Sequence, residues 1–268
     1  MHPFANLQIA PGSVGIHWFE QNAYAIVDSL GTITLVDPYF PHQRPPERFL
    51  RPTPPVVEAE LPTHHVLLTH DHGDHTNPET ITRIHAAWPE ALYVGPEDAI
   101  ATVLDKTSVD AAHARAIAAG ETLSLGPLVV HAFYSKLPEG DPAAGIPPAD
   151  KTHLGYVVEI EGLKLYFTGD LINNFAEHDE LIAPIAALEP DIGFLVTHPT
   201  EGEFPFFDGS HKMACKLGLK AAVPSHYQCF AKRTYDPAGW AALFGQGCPQ
   251  PGDPKPLVIP WNSHVVYP

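Results

Sequence analysis

Short runs of β-branched and aromatic residues, set between turn formers, punctuate the chain. Residues 23–27 and 32–36 form two such runs around Asp28-Ser29-Leu30-Gly31, which predicts a hairpin ending at Asp37-Pro38. Residues 155–160 and 163–168 repeat the pattern around Glu161-Gly162 and end at Gly169-Asp170. Tyr24 precedes Asp37 by nearly the distance that separates Tyr156 from Asp170. This weak internal symmetry suggests two similar halves.

Between the hairpins the pattern is mixed. Residues 66–68 are a short apolar run suited to a buried strand. Asn77-Pro78-Glu79 has the chemistry of a helix start: an Asn cap, Pro at the first helical position and an acid in the first turn. Ile81, Ile84 and Trp88 follow at helical spacing, and Pro89 ends the element. Ser108 is expected to cap a second helix over 109–118, closed by Gly120, and 128–133 reads as a strand. The Pro-, Gly- and Asp-rich segment 136–151 predicts a long loop, the kind that usually carries function or motion. Helix 177–188, strand 192–196, helix 210–217 and strand 221–223 complete the series. Strands alternating with helices predict α/β layers. The Pro-rich stretch 41–62 is too short to act as a linker, so residues 1–268 are expected to form one domain.

Composition narrows the class. Of 268 residues, 44% are hydrophobic and 17% charged, which fits a folded chain with a sizeable core and excludes a disordered one. Fifteen basic against 31 acidic residues give a formal net charge of −16, the wrong sign for a nucleic-acid binder or a protein of anionic membranes. A local basic pocket for a small anion remains compatible with that balance. No apolar run approaches the roughly 18 residues of a membrane span. The first residues show no basic or apolar region of a secretory signal, so a cytoplasmic protein is expected. Cys215, Cys229 and Cys248 are an odd count without C-x-x-C spacing, which predicts buried or free thiols in a reducing compartment. Seventeen histidines are the unusual figure.

Their densest cluster is Thr69-His70-Asp71-His72-Gly73-Asp74-His75, directly after an apolar strand. Residues i and i+2 point apart on a helix, so this set belongs to an extended or turning loop. There His70 and His72 can point the same way, and a turn at Gly73 brings Asp74 and His75 to a second point. Nitrogen and carboxylate donors without a thiolate suit Zn, Mn or Fe. A solvated polar loop gains nothing from three histidines.

The H-x-H-x-D-H motif after a buried strand resembles the signature of the metallo-β-lactamase superfamily. Leu165-Tyr166-Phe167-Thr168-Gly169-Asp170 resembles that family's strand ending in Gly-Asp. Val223-Pro224-Ser225-His226-Tyr227 resembles its late strand with histidine, and Thr34-Leu35-Val36-Asp37 its early strand ending in a structural Asp. The resemblance covers nearly the whole length in the right order. It implies an α/β fold of the four-layer αβ/βα sandwich type, with the site at one edge where strand ends meet. It implies His70 and His72 on a first metal, Asp74, His75 and His226 on a second, and Asp170 bridging. The family's third histidine for the first metal has no direct counterpart, because Tyr134 or Ser135 falls at the expected strand end. His131 and His153 are the nearest substitutes. His153 is preferred because it abuts the strand leading to Asp170, and substrate contact is its alternative role. One or two divalent ions, Zn or Mn with Fe also compatible, are therefore expected.

Thr152-His153-Leu154-Gly155-Tyr156, with the strands ending at Asp170 and His226, looks closest to the branch of the L-ascorbate-6-phosphate lactonases. The implied chemistry is hydrolysis of a small polar ester or lactone, with or without a phosphate, by a metal-activated hydroxide. Asp71, Asp74 and His198 are the catalytic candidates, with Asp71 expected to orient a ligand. Glu201, Asn173, Asn174 and Tyr227 are weaker candidates for the pocket, and Lys232 and Arg233 form a basic pair suited to a phosphate or carboxylate. The alternatives are a phosphodiesterase related to N-acyl-phosphatidylethanolamine phospholipase D, or a non-catalytic metal-binding or sensory protein. A small-molecule substrate is expected, with no nucleic-acid or membrane partner. A homo-oligomer is compatible with the sequence.

Overall fold

The computed structural model describes residues 1–200, 202–249 and 252–268. The first elements are β1 (Val14–Glu20), β2 (Ala23–Val27), β3 (Ile33–Val36), β4 (His65–Leu67), α1 (Pro78–Ala87), β5 (Leu92–Gly95), α2 (Glu97–Lys106) and β6 (Ala114–Ala116). Then come β7 (Thr122–Leu125), β8 (Leu128–Tyr134), β9 (Leu154–Ile160), β10 (Leu163–Phe167), α3 (Asp179–Ala186) and β11 (Ile192–Val196). The last are α4 (Phe207–Lys216), β12 (Ala221–Ser225), α5 (Ala238–Leu243), β13 (Lys255–Pro256) and β14 (Ser263–Tyr267). The chain divides into two compact units. One is Met1–Ile117 with Tyr227–Thr234 and Ile259–Pro268; the other is Ala118–His226 with Tyr235–Val258.

Each unit is built on a seven-stranded mixed sheet, ordered β14-β1-β2-β3-β4-β5-β6 in the first and β13-β12-β11-β10-β9-β8-β7 in the second. In the first, β14, β1, β2 and β3 pair antiparallel, and β4, β5 and β6 continue parallel from β3. In the second, β7, β8, β9 and β10 pair antiparallel, and β11, β12 and β13 continue parallel from β10. The two halves suggested by the hairpins are thus two sheets of the same plan. Both junction strands run into a carboxylate, β3 into Asp37 and β10 into Asp170. The next parallel strand runs into Thr69-His70 in one sheet and Thr197-His198 in the other. Ligands of open α/β sheets gather outside the carboxyl ends of such strands.

Local chemistry explains most elements. Asp28 Oδ1 accepts from the backbone N–H of Leu30 (2.9 Å) and Thr32 (2.7 Å), and Gly31 takes the positive φ of 82° that the turn between β2 and β3 needs. Asn77 caps α1 by accepting from Thr80 N at 2.9 Å, and Thr80, Ile81 and Ile84 form the buried face. That face packs with Phe40, Val66 and Leu68 in the core of the first unit. The core of the second unit gathers Tyr166, Phe175, Leu195, Met213 and Trp240.

Two expectations are corrected. No helix spans 109–118. Asp110 Oδ1 accepts from Ala112 N and His113 N, making a turn, and Ala114–Ala116 then pairs parallel with β5. Pairing to a sheet edge overrides the helical preference of this alanine-rich run. The helix lies earlier, at α2, where Glu97 and Asp98 fill the first turn and Ala99, Ile100 and Val103 are buried. The cysteine reading also changes, because Cys215 and Cys248 form a disulfide. It joins α4 to a loop beyond α5, and neither spacing nor parity reveals a contact between residues 33 apart. Cys229 alone is a free, buried thiol, and burial pushes it well above the ordinary thiol range. Among the described residues no helix is long and apolar enough to cross a membrane.

Candidate metal centre

In the first unit, β4 delivers Thr69 and His70 to the start of a tight loop. The N–H groups of His75 and Thr76 both donate to His72 O (2.9 and 2.8 Å), and Thr76 Oγ1 donates to His70 O (2.8 Å). The chain therefore turns within a few residues and brings the histidine rings together. Ring centroids of His70 and His75 lie 4.0 Å apart, and those of His70 and His72 4.7 Å apart. His70 Nε2 is 3.1 Å from His72 Nδ1, and Asp74 Oδ2 is 3.9 Å from His75 Nε2. His70 and His75 are buried, while Asp71, His72 and Asp74 are partly open to solvent.

Asp37 organises this loop from behind. Its carboxylate accepts from Thr69 N (2.8 Å), Thr69 Oγ1 (2.7 Å) and Asn22 Nδ2 (2.7 Å). It also lies 2.7 Å from His75 Nδ1, so the His75 proton is held on Nδ1 and the Nε2 lone pair is left to face a ligand. Gln21 Nε2 donates to Asp74 Oδ2 at 2.8 Å and fixes that carboxylate in the same way. Tyr227, buried and stacked 4.6 Å from Trp18, accepts the N–H of Gln21 through its carbonyl at 2.9 Å. Burial pushes the Tyr39 phenol well above its ordinary value, against the pull of Arg48, so it stays neutral.

In the second unit, β10 leads to Asp170 and β12 to His226. Asp170 Oδ1 lies 3.3 Å from His226 Nε2, and both side chains are buried. Phe204 packs against the His226 ring at 4.6 Å, and His226 itself holds a left-handed φ of 68°. His153 is buried just before β9, with its carbonyl accepting from Ser135 N at 3.0 Å and Nε2 3.5 Å from Asp150 Oδ1. Ser135 in turn donates to Thr168 O, so the segment that precedes Asp170 is tied to the segment that carries His153. His198 follows β11, edge-on to Tyr235 at 5.6 Å, and its Nδ1 accepts from Thr200 N at 3.2 Å. Asn173 lines a pocket of about 490 Å³ together with Lys136, Ile146, Asp150 and Glu203 of the long loop and its neighbours. Asn174 makes no capping bond to the short helical turn after it. Glu201 lies outside the described residues.

His131 is removed from the ligand candidates. Its Nε2 is 3.0 Å from Glu159 Oε1 and its Nδ1 3.0 Å from Thr122 Oγ1, so both ring nitrogens are committed across the strands of one sheet. Thr69 stood in the histidine cluster without a role; Asn22 and Gln21 are the residues that sequence reasoning missed. Their only sequence signal is their place beside strand ends, which no motif distinguishes from ordinary turns.

The donor spacing tests whether an ion fits. Two donors held at about 2.0–2.1 Å in a tetrahedral or octahedral shell lie roughly 2.9–3.4 Å apart. The His70–His72 separation of 3.1 Å and the Asp170–His226 separation of 3.3 Å both fall in that window. All the donors are imidazole or carboxylate, which suits Zn, Mn or Fe.

The sequence profile of the β-lactamase superfamily domain matches residues 32–227, more than half of the chain. The chain belongs to the β-lactamase superfamily. Solved structures of the metallo-β-lactamase fold agree with this α/β architecture of two mixed sheets with helices. The superfamily chain is similar to Igni18, a metallo hydrolase from the archaeon Ignicoccus hospitalis, with a TM-score of 0.71 and 16% identity over 96% of this chain and 99% of that one. An isothiocyanate hydrolase from Delia radicum gut bacteria gives 0.69 and 16%, over 94% and 98%. CmlA, a diiron β-hydroxylase from Streptomyces venezuelae, gives 0.62 and 16%, over 96% of this chain and 54% of that one. A search of curated protein sequences gives no match.

Proposed function

We propose that this superfamily member is a metal-dependent hydrolase that opens a small polar ester or lactone. The observation that carries the reading is the 70–76 loop, which gathers three histidines while Asp37 fixes the tautomer of His75. Such a carboxylate–histidine pair is the usual outer support of a metal ligand. The proposed ligand set is His70, His72 and His153 for a first ion, and Asp74, His75 and His226 for a second, with Asp170 shared. A bound divalent ion would activate water near neutral pH and take up charge developing on a substrate oxygen. Gln21 and Asp37 hold the ligand side chains in place. Asp71 is proposed to orient the loop, and His198 to contact substrate or move a proton. The similarity to Igni18 and to the isothiocyanate hydrolase, both named as hydrolases, supports hydrolysis. The lactone preference rests on the 152–156 and 165–170 motifs. The similarity to a diiron protein keeps iron beside zinc and manganese as the native metal.

The deciding experiment is metal content by mass spectrometry on protein purified without chelator, with turnover on a panel of esters, lactones and phosphodiesters. One or two ions per chain and ester or lactone turnover are expected, with both falling in His70→Ala. A folded chain that takes up no Zn, Mn or Fe sinks the proposal. Turnover confined to phosphodiesters replaces it with the phosphodiesterase reading.

A further inference from the structure

The first unit holds a second feature beside its histidine loop. A pocket of about 470 Å³ is lined by Glu47, Arg48, Asp74, Phe230, Lys232 and Arg233. Its volume is that of a small-molecule site. Three of its six lining residues are cations, in a chain that has only 15 Lys and Arg among 268 residues. A formal charge of −16 repels anions from the molecule as a whole, so this concentration of positive charge is local and selective. The pocket wall also contains Asp74, a ligand in the reading above.

The cations sit on a braced frame. Two separate segments are sewn together by backbone bonds: Ala231 N to Arg48 O at 2.9 Å, Leu50 N to Cys229 O at 2.9 Å, and an antiparallel bridge between Phe49 and Phe230. The Arg48 guanidinium lies over the Phe49 ring at 5.4 Å and the Phe230 ring at 5.3 Å, which restricts its reach. Beneath them a fully buried pair, Arg44 with Glu20 at 2.6 Å, locks the same segment to β1. Arg51 donates to Gln228 O at 2.6 Å and to Gln228 Oε1 at 3.0 Å. A guanidinium held in one orientation matches the two oxygens of a phosphate or carboxylate better than a free one does.

We propose that Arg48, Lys232 and Arg233 form an anion subsite that selects substrates bearing a compact oxyanion, phosphate or carboxylate, at one end. The subsite rests on the hydrolase reading, because it places the scissile bond on the Asp74 side of the pocket. Glu47 and Asp74 oppose part of the charge, which favours a group that engages two or three cations at once over a single weak contact.

The test has two arms. Inorganic phosphate and acetate are each titrated calorimetrically into the protein as purified, and into Arg48→Gln, Lys232→Gln and Arg233→Gln, each checked for its fold by thermal melting. Phosphate or acetate binding that weakens about five- to tenfold per cation removed is expected. Tighter binding of phosphate assigns a phosphorylated substrate, and tighter binding of acetate assigns a carboxylate. Lys232 is exposed, so its variant keeps the test open if Arg48→Gln fails to fold. In kinetics, the same variants should raise KM for an anionic ester relative to its neutral counterpart. Binding that survives in all folded variants, or no binding to the wild type, overturns the subsite. If the metal-loaded wild type hydrolyses the neutral ester in that case, the hydrolase reading stands. If no ester is hydrolysed yet the titrations show the expected losses, the subsite stands and the hydrolase reading falls.

Discussion

The Oδ2 atom of Asp37 lies 2.7 Å from Nδ1 of His75, and neither side chain is exposed. Asp37 directly follows β3 and His75 lies on the loop after β4, so the contact joins the segments beyond two neighbouring strands of one sheet. It also decides which nitrogen of His75 can meet a ligand.

Asp37→Asn should therefore loosen metal binding without removing a ligand. Loss of such outer support costs about 10- to 100-fold in metal affinity. Competition with a chromophoric chelator measures it directly. The variant also leaves Thr69 and Asn22 with a weaker acceptor, so thermal melting should fall alongside. Metal affinity equal to the wild type would show that Asp37 serves only the fold.

Gly155 is predicted to resist substitution for a related reason in the second sheet. A Cβ there would lie 3.0 Å from Phe167 O, 3.1 Å from Ser135 Oγ and 3.1 Å from Thr168 O. Two of those atoms are backbone at the end of β10, just before Asp170, and cannot swing aside. Gly155→Ala should cost about 1–3 kcal/mol, the usual range for overpacking. The urea midpoint gives the stability change, and metal content gives the displacement of Asp170. A variant as stable and as metal-rich as wild type would show that the strand end yields freely.

The sequence carried the central elements well and the edges poorly. The hairpins at β2–β3 and β9–β10, the strand β11 and the cap of α1 were legible, because turn chemistry and apolar runs are local signals. β1, β5, β7, β13 and β14 escaped, and residues 109–118 were misread as a helix. A strand such as Ala114–Ala116 forms only because β5 offers it partners, and that information lies elsewhere in the chain. The same divide holds at the site. His70, His72, Asp74 and His75 announce themselves by density. Gln21 and Asn22, which position Asp74 and Asp37, do not, because their role exists only once β1 and β2 have paired.

Stability should fall on mild acidification, well before carboxylates protonate. Burial holds the His17 imidazole down at about 4, although its hydrogen bond to Asn262 opposes the shift. The unfolded chain titrates near 6.5, so between 6.5 and 4 it binds the proton that the folded chain refuses. Folding stability is then unaffected above 6.5 and declines as pH falls through that window, by at most about 1.4 kcal/mol per pH unit for one group. His65, also held at about 4 by burial, acts in the same direction. Urea midpoints at pH 7 and pH 5 should differ more in wild type than in His17→Gln. Equal differences would remove His17 as the cause.

The thiols offer a separate check on the fold of the second unit. Cys215 and Cys248 are joined across 33 residues, and Cys229 is buried in the first unit. A thiol reagent should thus find no reactive group in the native protein, one after unfolding without reductant, and three after unfolding with it. The disulfide constrains the unfolded chain, and a loop of that length stabilises by about 3–4 kcal/mol in the chain-entropy account. Reduction, or the Cys215→Ser and Cys248→Ser double variant, should lower the urea midpoint accordingly. The 70–76 loop belongs to the other unit. Three reactive thiols in the unfolded, unreduced protein would show that the bond does not form in the source compartment. In that case the reducing environment expected from the cysteine count would return.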